Sequence, residues 1–267
     1  MHRTAPRVVV AATAAAVAAV VTAGPALAAP GDLDVYLADP QDRGRSVSEL
    51  DVGNVYEGDV PLVCDAIDAP DGAVTFIFSG GFWYAPSADG EVSFGRPGDV
   101  PLCGAWGFAE DGAPAQDTFA VRRGNRYLLS AEPAVFTGGR AAQSFVFGQP
   151  SDQALVGDWD GDGIDTIAVR RGNTTYYAND NVDGGGGVRA SSFGRATDIA
   201  VAGDFDGDGR DTIAVRRGST FFVSAGEPGG RLTNPLAFQY GRSTDVPVAG
   251  SVLRDEGDFL GVVRIEG

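Results

Sequence analysis

The chain has 267 residues, of which 43% are apolar, and its formal net charge is −16. The apolar fraction excludes simple disorder, and a field this negative repels nucleic acid and anionic membrane surfaces. All 20 basic residues are arginines, and the only histidine is His2.

The N-terminus has the three parts of a secretory signal peptide. Residues 1–7 are basic, residues 8–21 are rich in alanine and valine, and residues 26–28 read Ala-Leu-Ala. The apolar run is shorter than the ~20 residues that a membrane span needs. We therefore expect a signal peptide over residues 1–28, and a secreted chain over residues 29–267 that does not insert into a membrane.

Cleavage of this segment would limit the chemistry that the chain can perform. Loss of the two arginines Arg3 and Arg7 takes the formal charge from −16 to −18, and loss of His2 leaves no histidine and no lysine. A serine–histidine triad, a histidine-ligated zinc site and a lysine Schiff base are therefore excluded. A pair of carboxylates, as in glycoside hydrolases, is the catalytic arrangement that remains.

An internal repeat indicates the fold. Residues 157–172 and 203–218 are identical at 14 of 16 positions, and weaker copies begin near Tyr56, Phe94 and Tyr240. A complete unit has four short runs of β-branched and aromatic residues between turns rich in glycine and aspartate. With a period in the forties, this pattern predicts an all-β chain in which each unit is one blade of a β-propeller.

The two ends of the chain complement each other. The fifth unit reaches Gly267 after two strands, whereas residues 34–38 and 51–56 resemble the last two strands of a unit. We therefore expect a β-propeller of five blades, closed by N-terminal strands that pair with the C-terminal blade. Such closure removes an exposed sheet edge. An open array of β-units is the alternative.

Two loops carry the strongest chemical signal. Each has aspartate at positions one, three and five and glycine at position six, so that carboxylates converge on one centre. Calcium takes six to eight oxygen ligands, commonly including a backbone carbonyl at position seven. The predicted calcium ligands are Asp158, Asp160, Asp162 and the Ile164 carbonyl in the first loop, and Asp204, Asp206, Asp208 and the Arg210 carbonyl in the second.

Three points of this interpretation stay open. Asp165 and Asp211, at position eight, are ligands, supports of the ligands, or acceptors of an arginine ion pair. Metal-free Asx turns are an alternative to calcium, whereas an EF-hand is excluded because position twelve is a valine inside a strand. Two calcium ions are expected, and a third site is open at unit one, which has three loosely spaced aspartates: Asp65, Asp68 and Asp71.

The order Phe-Gly, then Asp-x-Asp-Gly-Asp-Gly-x-Asp-Thr-x-x-Val, resembles the FG-GAP or VCBS-type repeat of integrin α-subunit propellers and many secreted bacterial proteins. The resemblance spans nearly all of residues 29–267 and is strongest in units three and four. It implies that each acidic loop joins the first two strands of a blade. The family commonly has its last carboxylate ligand at position nine, where this chain has Thr166 and Thr212.

Two further patterns concern pairs of residues. Cys64 and Cys103 align one residue apart on the first strands of units one and two, which allows a disulfide between neighbouring blades, with two separate thiols as the alternative. Arginine pairs at 122–123, 170–171 and 216–217 recur where a strand ends. We interpret them as partners of nearby aspartates rather than as a ring that grips a ligand.

The expected function is that of a calcium-stabilised binding or adhesion module, with loops such as 181–187 on its variable surface. In the secreted bacterial proteins that the chain resembles, such repeats often accompany cell-wall or polysaccharide-degrading domains. The resemblance therefore implies a glycan or cell-envelope ligand on a propeller face, with a protein ligand also open. A carboxylate-dependent glycoside hydrolase and a purely structural surface protein are the alternatives. Repetition of the aspartates favours scaffold residues over a catalytic pair, so we expect no enzyme.

Overall fold

The computed structural model describes residues 31–39, 44–55, 59–64, 74–84, 91–108, 117–133, 140–250 and 258–266. These residues form 20 β-strands and one 3₁₀ turn, Asp183–Gly185, and they contain no α-helix. Nor does this part of the chain have any helix long and apolar enough to cross a membrane. The predicted all-β class is therefore confirmed, while the predicted signal peptide lies outside the described residues.

The strands form five four-stranded antiparallel sheets, one for each predicted unit. The chain begins with β1 (Gly31–Asp39) and β2 (Arg45–Val55). Sheet 1 contains β3 (Val60–Cys64), β4 (Val74–Ser79), β5 (Phe82–Tyr84) and β6 (Glu91–Ser93). Sheet 2 contains β7 (Val100–Gly104), β8 (Thr118–Arg123), β9 (Arg126–Pro133) and β10 (Ala141–Val146).

The remaining sheets follow the same order along the chain. Sheet 3 contains β11 (Gln153–Gly157), β12 (Thr166–Arg171), β13 (Thr174–Tyr177) and β14 (Arg189–Ser192). Sheet 4 contains β15 (Ile199–Gly203), β16 (Thr212–Arg217), β17 (Thr220–Ala225) and β18 (Thr233–Gln239). In sheet 5, β19 (Val246–Gly250) and β20 (Phe259–Glu266) join the two N-terminal strands in the order β19-β20-β1-β2.

Sheet 5 is thus built from both ends of the described chain. Strand β1 pairs antiparallel with β20, from Asp32 opposite Glu266 to Ala38 opposite Leu260. This is the pairing of N-terminal and C-terminal strands that the two half-units of the sequence predict.

The sequence of each strand matches its place in the sheet. In the second strands β12 and β16, the four residues from isoleucine to the first arginine are all buried, so both faces of these strands are covered. The third strand β13 alternates, with Thr175 and Tyr177 buried and Thr174 and Tyr176 partly exposed. The hairpin between β12 and β13 has two residues and begins with Gly172, whose φ of 61° favours glycine.

Neighbouring sheets contact one another through their first strands. Contacts join β3 to β7, β7 to β11, β11 to β15, β15 to β19, and β19 to β3. Apolar side chains from adjacent sheets form the cores between them. Trp83 of sheet 1 stacks on Phe119 of sheet 2 with ring centroids 4.2 Å apart, and Trp159 of sheet 3 packs in one cluster with Ile213 of sheet 4.

A disulfide joins sheets 1 and 2. Cys64 at the end of β3 is bonded to Cys103 in β7, with 6.1 Å between the two Cα atoms. Both residues are buried. The predicted disulfide is confirmed, because the one-residue offset between the two cysteines makes their side chains face each other across adjacent strands.

Candidate metal centres

Each acidic loop joins the first strand of a sheet to the second. The first loop runs between β11 and β12, and the second occupies the same place between β15 and β16. In both loops the three predicted aspartates come together, with one carboxylate oxygen from each lying within 4.8 Å of the other two. The two groups are Asp158, Asp160 and Asp162, and Asp204, Asp206 and Asp208.

The aspartate at position one organises its own loop. Asp158 Oδ1 accepts hydrogen bonds from the backbone N–H of Gly161 at 2.7 Å and of Asp162 at 3.1 Å, and its Oδ2 accepts from Gly163 at 2.8 Å. Asp204 makes the same three bonds at 2.8, 3.1 and 2.9 Å. Local Asx-type turns are therefore present. An ionised carboxylate has about four acceptor sites, so these bonds leave room for a cation.

The clustered carboxylates disfavour one another's charge. Burial, followed by the charges of Asp160 and Asp158, raises the pKa of Asp162 above its ordinary value. Burial and the neighbouring aspartates of its own loop likewise raise the pKa of Asp206. A cation between the carboxylates would favour their ionised forms and relieve this repulsion.

Residues at position seven contribute backbone groups, and their side chains lie against the preceding loop. Ile164 N donates to Asp162 Oδ1 at 2.9 Å, and Arg210 N makes the equivalent bond to Asp208. A Cβ atom at Gly161 would lie 3.0 Å from Arg210 Cγ and 3.1 Å from the backbone oxygen of Gly209. The first acidic loop therefore packs directly on the second.

The aspartates at position eight bind the preceding sheet. Asp165 and Asp211 are 1% and 3% exposed. Asp165 Oδ2 accepts from Ala105 N at 2.8 Å, and its own N–H donates to Ala105 O at 2.8 Å. Asp211 makes the same two bonds with Asp158, at 2.9 and 2.8 Å. Each carboxylate thus closes a backbone bridge between sheets, and for Asp211 the bridged residue is itself a predicted ligand, Asp158.

A third bridge was not identified in the sequence. Asp258 Oδ2 accepts from Asp204 N at 2.6 Å, and Asp258 N donates to Asp204 O at 2.7 Å. Asp258 directly precedes β20, as Asp211 directly precedes β16. Alignment of the fifth unit on its second strand would have identified it.

Burial dominates the electrostatics of these three bridges. It raises the pKa of Asp165 to about 8, against the lowering effect of the bond from Ala105 and with smaller contributions from neighbouring aspartates. Burial in the same way raises the pKa of Asp258 to about 8 and raises that of Asp211 well above its ordinary value.

A second set of buried aspartates lies in the turn before each first strand. Each accepts a forked pair of hydrogen bonds from the second arginine of its own unit. The pairs are Asp99–Arg123, Asp152–Arg171, Asp198–Arg217 and Asp245–Arg264. The interpretation of the second arginines as partners of aspartates therefore agrees with the contacts.

The first arginine of each pair behaves differently. Arg122, Arg170 and Arg216 are buried, and each donates to backbone carbonyl groups of the turn that precedes the next sheet. These side chains fix one sheet to the next and are not available on the surface.

The glycine-rich segment of sheet 3 is also fastened to its surroundings. Asn181 is 8% exposed and donates from Nδ2 to Asp165 O at 2.8 Å, directly behind the first acidic loop. Gln143 Nε2 donates to Asn181 O, and Val146 N donates to Asp183 Oδ1 at 2.8 Å. The segment expected on a variable surface therefore bridges sheets 2 and 3.

The predicted third site cannot be compared with the structure, because Asp65, Asp68 and Asp71 lie outside the described residues.

A scan against known protein families, a search of curated proteins and a search of solved structures find no match to this chain.

Proposed function

We propose that this chain is a secreted, calcium-binding β-propeller of five blades that acts as a binding or adhesion module. The observation that carries the calcium assignment is the pair of aspartate groups with oxygens within 4.8 Å of one another. Ligands on opposite sides of a calcium ion lie about 5 Å apart, since each is 2.3–2.6 Å from the ion. The spacing and the all-oxygen donor set both fit calcium.

The residues that would hold each ion follow from the loop. Asp158, Asp160 and Asp162, with the Ile164 carbonyl, would bind the first ion. Asp204, Asp206 and Asp208, with the Arg210 carbonyl, would bind the second. A bound calcium ion supplies charge neutralisation and loop rigidity, so its contribution is to folding.

Contacts between the sheets support a closed five-bladed arrangement over an open array. First strands contact one another in chain order, and β19 of the last sheet contacts β3 of the first. An open array would leave these two strands apart. Pairing of β1 with β20 would add a closure within one blade, in which both of these strands have partners on either side.

The contacts of the repeated carboxylates support a binding module over a hydrolase. A glycoside hydrolase needs two carboxyl groups facing a shared cleft. The buried aspartates at position eight and in the turns instead bind backbone amides and arginines, as scaffold residues do. The ligand class, a glycan or a cell-envelope component, rests on the repeat resemblance alone.

Aromatic side chains can stack on sugar rings, but those of the third strands are largely buried or covered. Trp83, Tyr177 and Phe221 are buried, and Tyr176 and Phe222 lie beneath the guanidinium groups of arginines. Phe82, 45% exposed, is the described aromatic residue that offers an exposed ring. Ligand binding by the loops is therefore favoured over stacking on these rings.

The experiment that tests calcium binding is thermal unfolding of residues 29–267 in calcium and in chelator, with calorimetric titration for stoichiometry. We expect two bound ions and a large calcium-dependent rise in Tm. Asp160→Asn and Asp206→Asn should each remove one ion. Asp183→Asn replaces an exposed acid outside both groups and keeps an oxygen that can accept from Val146 N, so it is the control and should retain both ions. No heat of binding and no Tm shift would overturn the calcium assignment.

A glycan array, probed in calcium and in chelator, tests the binding function. Calcium-dependent retention of a glycan would support the binding module. Release of reducing sugar from a retained polysaccharide would instead support the glycoside hydrolase. Binding of neither glycan nor cell-envelope material would favour the purely structural alternative.

A further inference from the structure

The interface between sheets 3 and 4 differs from its equivalents at one row of side chains. In sheet 4 the buried Arg216 lies opposite Phe221, which lies opposite Phe238. The two rings stack with centroids 5.6 Å apart, and the Arg216 guanidinium lies 5.4 Å from the Phe221 ring. Sheet 2 has the same row, formed by Arg122, Tyr127 and Phe145.

In sheet 3 both rings of this row are replaced by small hydroxyl residues. Arg170 lies opposite Thr175, and Thr175 lies opposite Ser191. The three residues are 3%, 0% and 6% exposed. Tyr177 follows Thr175 by two residues on the same face of the strand, and its hydroxyl lies 2.9 Å from Ser191 Oγ. The row is thus polar and enclosed, whereas its two equivalents are aromatic.

Hydrogen bonding leaves a surplus of buried donors in this row. Arg170 Nη2 donates to Phe193 O at 2.9 Å and to Arg195 O at 3.0 Å. Arg170 Nη1 finds no hydrogen-bond partner among the described residues, whereas Nε has none in any of the three arginines. In Arg122 and Arg216, by contrast, Nη1 donates to a backbone carbonyl of the next turn.

The charge of Arg170 also lacks a dedicated partner. The carboxylate that favours the charged form of Arg170 is that of Asp198. Asp198 already accepts a forked pair of bonds from Arg217 and a further bond from Arg195 N. Neither a ring, as in sheets 2 and 4, nor a carboxylate of its own therefore compensates the buried guanidinium. Such a group is costly to bury unless something else pairs with it.

We propose that Arg170, Thr175 and the Tyr177–Ser191 pair form a buried site for a small inorganic anion of halide size, chloride under physiological salt. A water molecule could accept from Arg170 and donate to a hydroxyl of the row, but it would leave the buried charge of Arg170 without a counter-ion. An anion only accepts hydrogen bonds, so it satisfies the free N–H groups of Arg170 and offsets its charge. The inference does not depend on calcium binding.

The test measures Tm in sodium chloride and in sodium gluconate at equal ionic strength, with calcium constant. We expect chloride to raise the Tm of the native sequence by about 2–4 °C at saturation. Arg170→Met should abolish this rise. Arg216→Met removes an equally buried arginine at the same register in sheet 4, so it should lower Tm but keep the rise.

A second measurement does not require any variant to fold. Crystals of the native sequence grown in sodium bromide should show an anomalous peak within hydrogen-bond distance of Arg170 Nη1 and Nε. A water molecule without anomalous signal at that position would overturn the proposal. A chloride-dependent rise that persists in Arg170→Met would also overturn it, because the anion would then bind elsewhere.

Discussion

Asp211 holds Asp158 through two hydrogen bonds that cross from sheet 4 to sheet 3. Asp158 N donates to Asp211 Oδ2 at 2.9 Å, and Asp211 N donates to Asp158 O at 2.8 Å. Asp158 is the position-one residue of the first acidic loop, and Asp211 directly follows the second loop. The backbone that carries one candidate ligand is therefore fixed by the loop of the next sheet.

Asp211→Ala should destabilise the chain and weaken calcium binding at the first loop more than at the second. It leaves Asp158 N without its acceptor, which costs about 1–3 kcal/mol of unfolding free energy. Residues that orient metal ligands typically change affinity by about 10–100-fold. Calorimetric titration in an Asp206→Asn background would isolate the first loop. Asp211→Asn keeps an acceptor and should lose less, so equal losses in the two variants would contradict the role of the hydrogen bond.

Gly157 should be intolerant of alanine for the same reason. A Cβ atom at Gly157 would lie 2.5 Å from Asp211 Oδ2, so the glycine is required by the close approach of the carboxylate. We expect Gly157→Ala to cost about 1–3 kcal/mol of unfolding free energy. Asp211→Ala removes this carboxylate and leaves the wider contacts of 3.0 Å to the Cβ of residue 211 and 3.1 Å to Trp159, so adding Gly157→Ala there should cost less. Urea unfolding of the four chains measures this coupling, and additive costs would argue against the contact.

The local chemistry of the loops could be predicted from the sequence, whereas contacts between sheets could not. Spacing alone brings Asp158, Asp160 and Asp162 together, because a loop of six residues fixes its own geometry. What Asp165 contacts depends on how the preceding sheet docks, and no local spacing contains that information. The buried Arg122 was interpreted from its charge, although its partners are carbonyl groups of the turn before sheet 3.

The disulfide should contribute most at the boundary between sheets 1 and 2. In sheets 2, 3 and 4 a buried arginine on the second strand fixes the sheet to the next one. In sheet 2 this arginine is Arg122, which lies opposite Val100. The equivalent residue of sheet 1, which lies opposite Val60, is Phe78. The bond closes a separation of 39 residues, for which chain entropy predicts about 4 kcal/mol.

Replacement of Cys64 and Cys103 by serine should therefore lower the unfolding free energy by roughly this amount, with local loosening of sheet 1 first. Hydrogen exchange should show faster opening in β3 to β6 than in β15 to β18. Uniform acceleration across all sheets would show that the bond stabilises the whole chain and not this boundary.

The pairs of turn aspartates and arginines should set the acid limit of stability. Burial alone would raise the pKa of Asp198, but the bonds from Arg217 and Arg195 N outweigh it, so the folded pKa lies below the ordinary 3.8. The pKa values of Asp152 and Asp245 are lowered in the same way. A carboxyl group whose pKa is lower in the folded than in the unfolded chain stabilises the fold. This stabilisation is fully present above pH 3.8 and is lost as the pH falls through the pKa of the folded chain.

Asp198→Asn tests this dependence, because it removes the charge and keeps the size of the side chain. At pH 7 we expect the variant to be less stable by about 1–3 kcal/mol, since a charge-assisted pair of hydrogen bonds is lost. As the pH falls below 3.8, the unfolded chain takes up a proton at Asp198 while the folded chain does not, so the difference should begin to shrink; it should reach zero below the folded pKa. Urea unfolding at pH 7, 5 and 3 measures the difference directly. A difference that stays constant down to pH 3 would mean that the contribution of Asp198 comes from its shape and not from its charge.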